Sequence, residues 1–219
     1  EQRLDGLRRF FANSESVSRA EFDGYTHPLL LRTQAYSFAL KVSGAERAAF
    51  EQRVRDEGLS NFTIRELNGQ GELQLAAARD EYVPVLYSQT QSRLGSPLGY
   101  DLLAQPLRRD TLQRADKLNS LAVSQPLHLV SIEPSYARGV LLAAPVIREG
   151  EQQSFGYVMA VISMRQLLAD GLPDALHDYL SVRILDLSTN DQHEVLFEST
   201  NEPAPSDLAA TRLLRMADH

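Results

Sequence analysis

Five histidines, His27, His128, His177, His193 and His219, are the side chains best suited to bind a metal or move a proton, and they lie scattered along 219 residues. No two stand four apart, the spacing a helical zinc site needs, so a zinc enzyme is not expected. The chain has no cysteine, which removes disulfide staples, thiolate nucleophiles and Cys-ligated zinc while leaving the redox compartment open. Neither a serine-nucleophile elbow nor a P-loop occurs. The glycines of Asn68-Gly69-Gln70-Gly71 read as a turn. No cofactor is expected.

The carboxylates offer more. Asp80 and Glu81 enter a strand-like run, and adjacent residues there point to opposite faces, so they cannot flank one substrate bond. Ion pairs involving Arg79 and Glu81 are their expected use. Asp101, in Gly99-Tyr100-Asp101-Leu102-Leu103, follows a polar stretch and precedes a helix. A carboxylate there either caps the turn or faces a cavity.

The elements that must position these residues follow from periodicity. Apolar residues recur at helical spacing from Leu4 to Tyr25, which predicts a long opening helix, bent near Pro28 and followed by a second helical stretch, suited to a stalk or dimer seam, with two ordinary packed helices as the alternative. Helix resumes over 45–57 and ends at Gly58. A strand is expected over 61–67 and another over 82–87, with Pro84 pushing the second toward an edge or bulge. A helix is expected over 106–118, starting on Pro106, with Leu107, Leu112, Ala115 and Leu118 on one face and Arg108, Arg109, Asp110 and Arg114 around it. Strands over 127–132 and 139–147 should form a hairpin. A strand over 155–163 leads into a short helix, and strands over 179–187 and 194–199 turn at Asn190-Asp191. A final helical segment is expected within 208–216.

This is an α+β pattern, with antiparallel sheets carrying helices. Hydrophobic residues make up 43% and charged residues 23%, so the chain should fold. A net charge of −7 argues against nucleic acid as a partner. The longest apolar runs, 139–147 and 157–162, fall far short of the roughly 20 residues that span a bilayer. The start at Glu1 reads as a trimmed piece of a longer protein.

In order along the chain stand Val42, Glu46-Arg47, Phe50-Glu51, Gly58, the run Arg79-Asp80-Glu81-Tyr82-Val83-Pro84-Val85, Gly99-x-Asp101, Arg109 with Ala115, Ser124-x-Pro126 with Leu129, Gly139-Val140-Leu141 and Pro145-Val146. In this the chain resembles the CHASE family of extracytoplasmic sensors, found in cytokinin-receptor histidine kinases and in bacterial histidine kinases and diguanylate cyclases. The run from Arg79 to Val85 is the most specific piece.

The resemblance implies a long N-terminal helix followed by two PAS-like antiparallel-sheet subdomains in tandem. Residues 1–41 would be stalk and dimerisation helices, 42–147 a membrane-distal ligand-binding half, and 148–219 a membrane-proximal half. It implies a homodimer joined through the N-terminal helix, transmembrane helices on either side of this chain, and a periplasmic location at a bacterial inner membrane. Asp101 would accept a ligand N–H, and the Val123 backbone would touch the ligand. Tyr82, Tyr87, Leu103, Leu129, Ile132, Leu141 and Ala143 would wall the pocket. Ile132 and Leu118 stand where the plant receptors carry threonine, so a small organic molecule other than cytokinin is expected, purine-like ones included. The implied function is a sensor domain without catalysis of its own. Two alternatives stay open: a ligand-free dimerisation or protein-interaction module, and a hydrolase using Asp80, Glu81 or Asp101 with a histidine.

Overall fold

The computed structural model describes residues 2–33, 35–90, 96–130, 138–171, 181–187, 194–199 and 210–213. In chain order these form α1 (Gln2–Ala12), α2 (Arg19–Thr26), a 3-10 turn (His27–Arg32), β1 (Ala35–Leu40), β2 (Val42–Ser43) and α3 (Arg47–Asp56). Short strands follow, β3 (Arg65–Leu67), β4 (Leu73–Leu75) and β5 (Glu81–Tyr82), then the longer β6 (Val85–Thr90). After a 3-10 turn (Leu102–Ala104) come α4 (Pro106–Leu118), β7 (Ala122–Val123), β8 (Leu127–His128), β9 (Arg138–Val146) and β10 (Gly156–Ser163). The last elements are α5 (Met164–Gly171), β11 (Arg183–Asp186) and β12 (Glu194–Glu198).

The centre is one antiparallel sheet in the order β6-β1-β10-β9-β7, with β8 also paired to β9. Alternation along its strands sends side chains to two buried faces. Tyr36, Phe38, Leu142, Ala144, Val158 and Ala160 meet Leu4, Leu7 and Phe11 of α1. Ala39, Leu141, Ala143, Tyr157 and Met159 turn to the other side, toward Tyr100, Leu102 and Leu112 of α4. A strand buried on both faces reads as a continuous apolar run, which is why 139–147 and 157–162 look alike in the sequence. Phe11 stacks on Phe38 at 4.0 Å between ring centroids. Burial of each such side chain contributes about 1.5–3 kcal/mol.

The single long opening helix is not what forms. The described residues give α1 and α2 instead, and α1 is packed onto the sheet, with Leu7 wholly buried. The restart is local chemistry: the Ser18 hydroxyl accepts from the Glu21 N–H at 3.3 Å while the Glu21 carboxylate accepts from the Ser18 N–H at 2.8 Å, a capping box that begins a new helix. Beyond it, residues 35–40, taken from the sequence as stalk, are the strand β1 in the middle of the sheet.

The sheet also runs across the 147/148 boundary drawn from the sequence, because β10 lies between β1 and β9. The 147/148 boundary therefore cuts through one sheet, and most residues after 171 lie outside those described. From 148 onward, the only sheet they form apart from the central one is the hairpin β11–β12. Several local expectations hold. α4 occupies the expected residues, with Pro106 in its first turn, the Gln105 side chain accepting from the Arg108 N–H, and Asn119 in the left-handed conformation at its end. Leu118, however, is 52% exposed. β8 pairs with β9, and Pro84 separates β5 from the edge strand β6. The Asn190-Asp191 turn and most of the C-terminal helical segment lie outside the described residues.

Candidate functional site

Asp101 sits in a segment threaded between two others. The Gly99 carbonyl accepts from the Arg65 N–H, the Arg65 carbonyl from the Asp101 N–H, the Tyr100 carbonyl from the Val85 N–H, and the Val83 carbonyl from the Leu102 N–H, at 2.8–3.1 Å. Only glycine fits at 99, where φ is +79° and an added Cβ would lie 2.2 Å from the Thr63 carbonyl oxygen. In so extended a segment Tyr100 and Leu102 share one face and Asp101 takes the other.

That alternation decides what Asp101 does. Its side chain is fully buried. Oδ1 accepts from the Val83 N–H at 2.8 Å and the Leu103 N–H at 3.2 Å, and Oδ2 accepts from Arg79 Nη1 at 2.9 Å. Arg79 also pairs with Glu66. Burial pushes the Asp101 carboxyl above its ordinary value against the pull of these donors. The carboxylate thus pins three segments together on the far side of the chain from Tyr100 and Leu102.

Those two residues face a partly open cavity of about 50 Å³ between the central sheet and α4. Leu102, Leu127, Leu129, Leu141 and Met159 supply apolar wall. The polar members include Ser37, Tyr100 and Arg108. Arg108 is 5% exposed. Its Nη2 donates to the His128 carbonyl at 2.8 Å, its Nη1 to the Tyr100 hydroxyl at 3.3 Å, and its guanidinium lies 5.2 Å from the Tyr100 ring centroid. Burial holds the guanidinium below its ordinary pKa, and burial raises that of the Tyr100 phenol, opposed by Arg108.

On the opposite face, a more open groove of about 190 Å³ runs beside Phe11, Phe38, Tyr87, Phe155, Arg53 and Arg148. It is lined by opposite charges and stays in contact with solvent, whereas the α4 cavity secludes a cation among apolar side chains. The mainly apolar cavity beside α4 is the better small-molecule site.

The residues singled out from the sequence divide accordingly. Leu129 and Leu141 line the cavity beside α4; Ala143 and Leu103 pack in the same core beside it. Tyr87 lines the opposite groove, its hydroxyl donating to the Val17 carbonyl at 2.8 Å. The Tyr82 hydroxyl braces its own loop, donating to the Ala77 carbonyl and accepting from the Arg79 N–H. Val123 is buried on the α1 side of the sheet, and its carbonyl accepts from Arg114 Nη2 at 2.6 Å. Ile132 lies outside the described residues. Among the described residues no cluster of His, Asp and Glu could hold a metal ion.

Arg108 and Tyr100 were missed. The signal for Arg108 was present: counting back from Ala115 and Leu112 by three and four lands on 108, a cation on the apolar face of an amphipathic helix. Its neighbours Arg109 and Asp110 are exposed, and it was grouped with them.

The fold of the described residues is therefore an antiparallel sheet with helices on both faces, and the cavity beside α4 could admit a small ligand. Residues 15–197 match the CHASE domain family model, so the chain belongs to the CHASE family of extracytoplasmic sensory domains. As such it is a sensor domain of a signalling receptor and not itself an enzyme. No curated protein matches it. Among solved structures it is similar to the ligand-binding domain of the Pseudomonas aeruginosa PAO1 amino acid chemoreceptor PctC in complex with GABA, at 14% identity and a TM-score of 0.42. That match covers 84% of this chain and 60% of the chemoreceptor domain. No helix among the described residues is long and apolar enough to cross a membrane.

Proposed function

We propose that this chain is the periplasmic small-molecule sensor of a membrane-anchored, homodimeric receptor with a histidine kinase or diguanylate cyclase output. The ligand occupies the cavity between the central sheet and α4, and its binding biases a two-state equilibrium that flanking transmembrane helices carry inward. The observation that carries this reading is the cavity itself, mainly apolar in its walls and holding a few convergent polar groups. The strand order supports a PAS-like module: with the short β8 left out, it is 2-1-5-4-3 in chain order. Leu129 and Leu141 contact the ligand, and Asp101 acts behind the cavity by fixing the Tyr100–Leu102 segment.

The test is a thermal-shift screen of the purified domain against small organic molecules, purines and carboxylates included. A ligand at a hundred times its dissociation constant stabilises the folded state by about 2.7 kcal/mol. Substituting Met159→Trp, which fills the cavity, should abolish every genuine hit. Hits that survive it would locate binding elsewhere and refute the cavity as the sensing site. A second reading, an interaction module without a ligand, draws on the cavity's size: about 50 Å³ is small beside the roughly 300–1,000 Å³ of drug-sized sites. An empty screen would favour it.

A further inference from the structure

Arg108 is the one cation among the fully buried side chains of the described residues, and its surroundings differ from those of Arg47, Arg79 and Arg114. Arg47 pairs with Glu51 at 3.0 Å, Arg79 with Glu66 and Asp101, and Arg114 with Asp110 at 3.0 Å. Arg108, more buried than any of them, has no carboxylate within ion-pairing distance among the described residues. Its acceptors are the neutral Tyr100 hydroxyl and the His128 carbonyl. Burying a charge without an opposite charge is costly, and arginine cannot escape the cost by losing its proton. The guanidinium carries five N–H donors in a planar fork, of which these two bonds engage two. The Tyr100 hydroxyl, accepting from Arg108, keeps its own hydrogen to donate.

We infer that the ligand of this cavity is a small carboxylate with a short apolar tail, its anionic group received by Arg108 and Tyr100 and its tail by Leu129, Leu141 and Met159. This rests on the cavity being the sensing site proposed above. Arginine matches a carboxylate bidentately, and such bonds strengthen where water is excluded. Size sets the tail: one water needs roughly 10–15 Å³ by this measure, so about 50 Å³ admits a ligand of a few heavy atoms. Acetate, propionate and butyrate are the probes.

Titration calorimetry on the intact domain compares each acid with its amide, which has nearly the same shape and no charge. The acids should bind roughly ten- to a hundredfold more tightly, the usual worth of a hydrogen bond to a charged group. In Arg108→Met that preference should vanish while the unliganded variant melts no lower than wild type, because a charge without a counter-ion has been removed. Equal binding of acids and amides by wild type would overturn the carboxylate assignment and leave the sensing cavity standing, and so would an acid preference that survives in Arg108→Met. If neither series binds, the assignment fails, and the wider neutral screen then decides separately whether the cavity senses anything. The wild-type comparison stands by itself should the variant not fold.

Discussion

Replacing Asp101 by alanine removes one carboxylate and disconnects three segments. The Leu103 N–H loses its cap, worth about 1 kcal/mol in comparable turns. The Val83 N–H, at a residue 1% exposed, is left without an acceptor, at about 1–3 kcal/mol. Arg79, whose side chain is 29% exposed, keeps Glu66 and water, so its loss is only about 0.5 kcal/mol. Relief of the buried carboxylate's own desolvation, the force that raises its pKa, offsets part of this. The expected net loss is about 2–4 kcal/mol.

Asp101→Asn separates the contributions. Its carbonyl oxygen still accepts from Val83 and Leu103, and only the Arg79 bond is lost, so about 0.5 kcal/mol is expected. Urea unfolding at pH 7 measures both, provided the slope with denaturant is unchanged. An alanine variant within about 0.5 kcal/mol of wild type, the range of an ordinary surface substitution, would refute the pin. The asparagine variant also tests the ligand contact implied by the resemblance: a stable Asp101→Asn protein with more than tenfold weaker ligand binding would put the carboxylate in direct contact after all.

Gly99→Ala should be among the most damaging single-methyl changes, because it demands a left-handed conformation costing about 1–2 kcal/mol and drives a Cβ into the Thr63 carbonyl. Chemical denaturation should register a loss of about 3 kcal/mol or more; a loss below that strain cost alone would mean the segment relaxes freely. Asp116 accepts from Lys41 at 2.8 Å, Ser154 at 2.6 Å and Tyr157 at 2.5 Å. Burial tends to raise its pKa, but these donors outweigh burial and hold it below the ordinary value. Its contribution to stability is therefore present above the unfolded pKa of about 4 and is lost as pH falls through the lower folded value. Asp116→Asn should lose about 1–3 kcal/mol at pH 7 and show a flatter decline below pH about 4. Stability curves that stay parallel to wild type from pH 7 to 3 would count against the linkage.

Local order was legible from residue types alone. Pro106 and the apolar spacing of 107, 112 and 115 define α4, because helix starts and faces are set within a few residues. Pro84 as an interruption and the 68–71 turn are equally local. The capping box at Ser18 and Glu21 was just as readable, yet the apolar period running past it argued for one helix. A period records that a face is buried and is silent about what buries it, and in α1 the sheet covers Leu4, Leu7 and Phe11. The ordered match from Val42 to Val146 was enough to point to the family.

Tertiary structure alone decided the pairing of β1 with β10, more than a hundred residues apart, because strand pairing depends on which distant edges meet and leaves no trace in either segment. It also decided which way Asp101 and Arg108 point. Asp101 lies between two residues that face the cavity, so its carboxylate is turned to the backbone behind. Arg108 stands where the helix meets the sheet, so a residue type that is nearly always solvated is sealed inside. Charge and spacing name the groups able to recognise a ligand, and only the packing of sheet against helix settles which of them reaches it.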